Sequence, residues 1–214
     1  MNFEFLQQVN LFKGCNIDEI KGVCEKLQFE EKEFSKNQII MHSGVITENL
    51  GILEFGSAVI ENVDVWGNLS VISFVGAGEI FAESYACASS KIMVDVKSNS
   101  DSKVIFVNIS KLLQENDNVC KKIIQNLLII ASRKNMKLSR RIFVTSPKTI
   151  RSRLELYFSD LVSTQKSAEI TIPFDRQQMA DFLNVERTAL CKELGKMQDE
   201  GLIQFHKNHF VIKI

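Results

Sequence analysis

Arg187, Thr188, Ala189 and Lys192 stand together at the start of a helically periodic stretch, residues 186–200, whose Leu190, Leu194 and Met197 face the opposite way. A planar guanidinium there can donate two parallel hydrogen bonds to O6 and N7 of guanine. Lys192, one turn further on, can reach a base or a phosphate. Thr188 and Ala189 are small enough to let a helix approach closely and to touch a thymine methyl. Donors and small residues on the outer N-terminal face of a helix are what the reading of base edges requires.

The other chemistry-bearing residue types are scattered. Cysteines at 15, 24, 87, 120 and 191 and histidines at 42, 206 and 209 show neither CxxC spacing nor metal-ligand clustering. No disulfide framework, zinc site or iron–sulfur cluster is expected, and no positioned pair of axial haem ligands is present. A metal enzyme built on a β barrel would need a cluster of His and Glu ligands, yet His42 is the lone histidine of residues 1–145. No catalytic residue, metal or cofactor is therefore expected. Cys87 and Cys191 remain as single thiols whose redox use would require a depressed pKa.

The elements that must hold Arg187 and its neighbours can be read around them. Asp175 can cap a short helix with Met179, Phe182 and Leu183 inward, and Asn184 can take the left-handed conformation of a tight turn. Gly201 stops the second helix. Two short strands, LIQFH and HFVIKI, flank Lys207-Asn208 and put Lys207 at the tip of a hairpin. Two helices about a turn followed by a hairpin make a winged helix-turn-helix. Ser146-Pro147 reads as the N-cap and first residue of a preceding helix carrying Ile150, Leu154, Tyr157, Phe158 and Leu161, and Pro173 ends the run EITIP.

Further upstream, one helix is expected from about Ile109 to Phe143. It has no Gly or Pro and an apolar stripe that includes Ile123, Ile124, Leu127, Ala131 and Leu138. Its length exceeds a small domain, so the stripe is expected to bury against a second copy of the chain. Residues 34–108 alternate β-branched runs (QIIMH, LGILEF, AVIENV, LSVISFV, IMVDV, KVIFVNI) with turn residues such as Gly44, Gly56 and Trp66-Gly67-Asn68. That texture predicts an antiparallel sandwich or barrel. Short amphipathic helices carrying Phe3, Leu6, Val9 and Phe12, then Ile20, Val23 and Leu27 behind Asn16 or Asp18, precede it. The expected fold class is α+β, with an antiparallel β domain at 1–108, a dimerisation helix and hinge at 109–145, and a winged helix-turn-helix at 146–214.

The formal charge is zero over 214 residues, with 26 basic and 26 acidic groups, but its partition is uneven. Residues 1–118 hold 9 basic and 17 acidic groups, residues 119–154 hold 10 basic groups and no acid, and residues 155–214 hold 7 and 9. An acid-free basic block suggests a polyanionic partner; the alternative is solvation of the outer face of long helices. No run approaches the ~20 apolar residues that span a bilayer, and the start MNFEFLQQVN lacks the features of a secretory signal. A cytoplasmic protein without a membrane partner is expected.

Arg176 before the first helix, Ala180 and Leu183 in it, Arg187, Leu190 and Leu194, and Gly201-Leu202-Ile203 together resemble the DNA-binding domain of the cyclic-AMP receptor/fumarate-nitrate regulator (Crp/Fnr) superfamily of bacterial transcription regulators. The spacing before Leu194 has one extra residue. The order of β-roll, long helix, hinge and winged helix extends the resemblance over nearly the whole chain and makes the β domain at 1–108 a β-roll sensor domain. GEIFAESYACA and RTALCKELGKMQDEGLI are similar to regulators of anaerobic Gram-positive bacteria. The resemblance implies a homodimer on a near-palindromic operator in double-stranded DNA, with Arg176, Arg187, Thr188, Ala189, Lys192 and Lys207 as DNA-binding residues. It also implies a hinge near Thr145–Lys148, contact with RNA polymerase for which Ser163–Ala168 is a candidate surface, and a small-molecule effector. Thr188 stands where the cyclic-AMP receptor protein has glutamate, so the preferred half-site is expected to differ.

Cyclic-nucleotide-binding members hold the ligand with a Gly-Glu pair and, about ten residues later, an Arg-Ser or Arg-Thr pair. Here Glu83 takes the glutamate position, but Ile92 and Met93 fall where the phosphate-holding pair should be. A buried phosphate without a cation is expensive, so cyclic AMP and cyclic GMP are not expected. A pocket at Glu83, Tyr85, Cys87, Ile92 and Met93 favours an apolar effector or an empty site, and core filling by the same residues is an equal reading. The alternative function is a β-roll interaction or sensor module that has lost DNA binding.

Overall fold

The computed structural model describes residues 1–63, 66, 67, 69–172 and 174–213. Asn68 of the expected turn and Pro173 of the expected boundary lie outside them. The chain divides into two compact units, Met1–Arg133 and Lys134–Ile214.

The first unit opens with helix α1 (Phe3–Gln8), a 3-10 turn at Asn10–Phe12 and α2 (Ile17–Leu27). Asn16 and Glu19 close a reciprocal capping box at the start of α2. Among the described residues eight strands follow: β1 (Glu30–Phe34), β2 (Ile39–Met41), β3 (Asn49–Phe55), β4 (Ser57–Val63), β5 (Leu69–Gly76), β6 (Ile80–Phe81), β7 (Asp95–Ser98) and β8 (Ser102–Asn108), with α3 (Glu83–Ala88) after β6. They form two antiparallel sheets, ordered β1-β8-β3-β6 and β2-β7-β4-β5. Leu53, Ala58, Val75, Phe81, Val96 and Val104 fill the space between them. Gly51 is needed because the Phe81 ring lies against its backbone, 2.2 Å from where a Cβ would stand.

Strands β1 and β6 escape the sequence pattern. EEKEF has one apolar residue, yet it pairs along its length with β8 from Glu30↔Phe106 to Phe34↔Ser102. The expected strand IMVDV is shorter than its composition suggests: Ile92 and Met93 precede β7 and lie outside it.

The long helix also departs from expectation. It is two helices, α4 (Ile109–Gln114) and α5 (Asn118–Thr145). The break is made by Asp117, whose carboxylate accepts from the Cys120 amide at 2.8 Å and pairs with Lys26. Those contacts hold its carboxyl well below the usual range, the Cys120 amide bond first and Lys26 next. The stripe expected to meet a second copy is divided in its burial. Ile123 and Leu127 are buried in the chain's own core with Leu6, Leu11, Phe12 and Ile20, and Ile124 packs against it. Ala131 is half-buried, and Leu138 is 61% exposed. Leu128, Ile129, Met136, Ile142 and Phe143 are the other exposed apolar residues of α5.

In the second unit, α6 (Ile150–Gln165) and β9 (Glu169–Thr171) precede α7 (Arg176–Leu183), α8 (Arg187–Asp199), β10 (Ile203–His206) and β11 (His209–Ile212). The cap of α6 is Thr149, which accepts from the Ser152 amide at 3.1 Å; the expected cap, Ser146, instead donates to the Phe143 carbonyl. Leu154, Tyr157, Phe158, Leu161, Met179, Leu183, Leu190, Leu194 and Phe210 make the core, which also holds Val144 from the end of α5.

Candidate nucleic-acid interface

Helix α7 starts at Asp175, whose side chain accepts from the Gln178 amide in a capping box, and ends at Asn184 with φ 53°. Both features follow from the residue types. Helix α8 then starts on Glu186. Its carboxylate accepts from the Ala189 amide at 2.9 Å and from the Thr188 hydroxyl. The Thr188 hydroxyl first, then the Ala189 and Thr188 amides, hold the Glu186 carboxyl below its ordinary value. Leu190, Leu194 and Met197 pin the inner face, leaving Arg187, Thr188 and Lys192 exposed and Ala189 half-buried. Neither Arg187 nor Lys192 makes an ion pair among the described residues. The structure thus brings the four expected readers onto one helix end, with one carboxylate at its tip. The Thr188 hydroxyl proton is directed to Glu186, which leaves its oxygen as an acceptor.

The hairpin pairs His206 with His209 and turns at Lys207, which is exposed at φ 53°. Arg176, the first residue of α7, does not project freely. Its guanidinium lies 5.0 Å from the centroids of both Phe205 and Phe210, and Nη2 donates to the Lys207 carbonyl at 2.7 Å. Desolvation there pulls its pKa down. With Phe174, Asp175, Lys207 and Asn208 it lines a hollow of about 530 Å³.

The arginines of the basic block are a finding the sequence does not announce. Arg153 donates to the carbonyls of Pro147, Leu183 and Asn184 at 2.8, 2.9 and 2.8 Å. Arg141 donates to those of Asp181 and Phe182 at 3.0 and 3.3 Å. Two side chains therefore serve the last carbonyls of α7, where a helix lacks internal donors. Arg151 bridges from α6 to Glu193 of α8 and to Glu200, the residue that caps α8, and Arg140 pairs with Asp160 of α6. Only their position in an acid-free run marks these residues in sequence; apart from Pro147, their partners lie 20 to 49 positions away.

The expected effector residues are arranged differently. Glu83 is buried and Tyr85 half-buried, both on α3 with the exposed Cys87; Ile92 is buried and Met93 is 75% exposed. Desolvation, then the charge on Glu83, hold the Cys87 thiol above its ordinary pKa, the opposite of a reactive cysteine. Ile92 lines a hollow of about 470 Å³ with Lys32 and Phe34 of β1, Ile40 of β2, Phe106 of β8 and His42. No group of three or more metal-ligating side chains is found among the described residues, and no described helix is long and apolar enough to cross a membrane.

Two family models match the chain. One describes a cyclic nucleotide-binding domain and covers residues 31–116; the other describes a Crp-like helix-turn-helix domain and covers residues 152–214. Among curated proteins none matches. Among solved structures the chain is similar to the catabolite activator protein of Thermus thermophilus at 14% identity and TM-score 0.57, covering 95% of this chain and 93% of that one. It is also similar to the c-di-GMP-responsive global regulator CLP of Xanthomonas campestris at 15% identity and TM-score 0.55, covering 93% and 100%. A third is CprK in complex with OCPA, at 14% identity and TM-score 0.61, covering 91% and 88%. At those identities the structural likeness establishes the fold.

Proposed function

We propose that the chain, which carries a cyclic nucleotide-binding domain and a Crp-like helix-turn-helix domain, acts as a DNA-binding transcription regulator of the Crp/Fnr superfamily. Helix α8 enters the major groove with Arg187 on guanine and Lys192 on a base or phosphate, while Thr188 and Ala189 allow close approach. Lys207 meets the backbone beside the groove. The observation that carries this reading is the exposed, unpaired Arg187 at the end of a helix whose opposite face is fully buried.

The protein acts as a homodimer on a near-palindromic operator, in the cytoplasm. What supports the dimer is the apolar surface of α5: Leu128 and Ile129 in the first unit, and Met136, Leu138, Ile142 and Phe143 in the second. Ile129, Met136 and Phe143 are spaced at seven residues, the repeat of a helix that seats against its own copy. The β-roll takes an apolar effector or none. Buried Ile92 and exposed Met93 offer a cyclic phosphate no cation, and relatives of this fold include one described as c-di-GMP responsive and one complexed with OCPA, so fold does not choose the ligand. The protein is not an enzyme. Ser163–Ala168, exposed at the end of α6, is the surface offered to RNA polymerase.

Selection of bound sequences from a random duplex pool, with and without cell extract, tests the reading. A near-palindromic motif is expected, with Arg187→Ala and Lys192→Ala each weakening binding by about 10- to 100-fold, from ~1–3 kcal/mol per base contact. Binding unchanged in both variants overturns it. Ile129→Lys and Phe143→Lys should shift sedimentation from dimer to monomer.

A further inference from the structure

Arg176 has the charge of a phosphate contact, but its surroundings give it another task. It lies within the Asp175–Gln178 capping box, so its backbone is fixed at the start of α7. Its guanidinium sits against two aromatic rings that themselves pack 5.4 Å apart at 30°. The fork ends on the carbonyl of Lys207, the residue that turns the hairpin in a left-handed conformation rare for a side chain with a Cβ. From the other side, the Ile172 amide donates to the Asn208 carbonyl at 2.9 Å. Both residues of the turn are thus held through their backbone, one of them by Arg176.

We propose that Arg176 contributes to DNA binding as a positioning residue, setting the Lys207–Asn208 turn against α7 so that the Lys207 ammonium meets a phosphate. The proposal rests on the reading of Lys207 as a backbone contact. A flat guanidinium can lie on two rings and donate in its own plane at once. A lysine ammonium carries the same charge but cannot make that combination. Charge and geometry are therefore separable by substitution.

The test measures affinity for a selected operator as a function of salt in the full-length protein, with thermal unfolding as the control for folding. Each phosphate contact adds about 0.9 to the slope of log affinity against log salt. Arg176→Lys is expected to bind about tenfold more weakly than the wild type and to lose about one such contact, as Arg176→Ala does. Phe205→Leu removes one stacking ring and no charge, and it too should lower the slope. Lys207→Ala added to Arg176→Ala should cost little more, because both act through one contact. Wild-type affinity and slope in both Arg176→Lys and Phe205→Leu would overturn the proposal in favour of a direct ionic contact, as would full additivity of the double variant. A Lys207→Ala single variant with an unchanged slope would overturn the Lys207 reading and the proposal with it.

Discussion

The reading head and the β-roll place their polar groups in opposite ways. In the head, every buried residue of the described core is apolar, and the charged side chains lie around it, fastening carbonyls or facing outward. In the roll, Glu83, Ser98 and Ser102 are inside. Ser98 and Ser102 serve turn carbonyls, with hydroxyls 2.9 and 2.7 Å from the Ser100 oxygen. Outward chemistry on one helix announces a ligand, while inward polar groups are largely engaged with the backbone. That contrast supports the proposal that Arg187, Thr188, Ala189 and Lys192 read DNA.

The sharpest way to break the comparison is to damage one unit alone. Leu154→Ala removes a fully buried side chain of the head core and should cost about 2–5 kcal/mol. Calorimetry should show the head transition lowered and the transition of residues 1–133 unmoved. A uniform shift would mean the two units melt as one.

A smaller effect should come from Arg153→Ala, which leaves the Leu183 and Asn184 carbonyls at the α7–α8 turn and the Pro147 carbonyl before α6 without their donor. The expected loss is about 1–3 kcal/mol in head stability. Affinity should fall for all DNA sequences alike, with base preference unchanged in the selected motif, in contrast to Arg187→Ala.

Acidification should give a smaller change still. The Glu186 carboxyl is held below its ordinary value of 4.5 in the folded protein. Its capping of α8 is fully present above that value and is lost as the pH falls below it, through the depressed folded value. Hydrogen exchange of the Ala189 amide should accelerate, relative to other helical amides, in that window, and Glu186→Gln should remove the dependence. On the roll side, millimolar cyclic AMP should leave the melting temperature unchanged, since a ligand that does not bind the folded state gives no linkage. A rise would return the cyclic phosphate to the roll and erase the contrast with the head.

Much of the head was legible because its signals are local. Asp175, Asn184 and Gly201 mark caps and stops, and apolar positions three and four apart mark inner faces. The Lys207 turn follows from two strands with a polar pair between them. The roll was legible in class but not in detail. β1 is a strand because β8 supplies its partner, and EEKEF carries no pattern that says so. Ile123 and Leu127 were readable as an apolar stripe but not as to what covers them, since a periodicity gives a face and never its neighbour. Asp117 could have been read as a cap within QENDN, and with it the break before α5.

By itself, then, the amino-acid sequence determined the α+β class, the winged helix-turn-helix and the helix end bearing Arg187, Thr188, Ala189 and Lys192. Each of these rests on residues near one another in the chain. Only the tertiary structure decided what the basic block does. Arg141 and Arg153 close the end of α7, Arg151 ties α6 to α8, and Arg176, outside the block, is held against Phe205 and Phe210. A guanidinium looks the same in sequence whether its partner is a phosphate or a carbonyl 30 residues away. Folding brings that carbonyl within 2.9 Å, and the same step separates the arginines that fasten the second unit together from Arg187, which stays exposed and is proposed to read DNA.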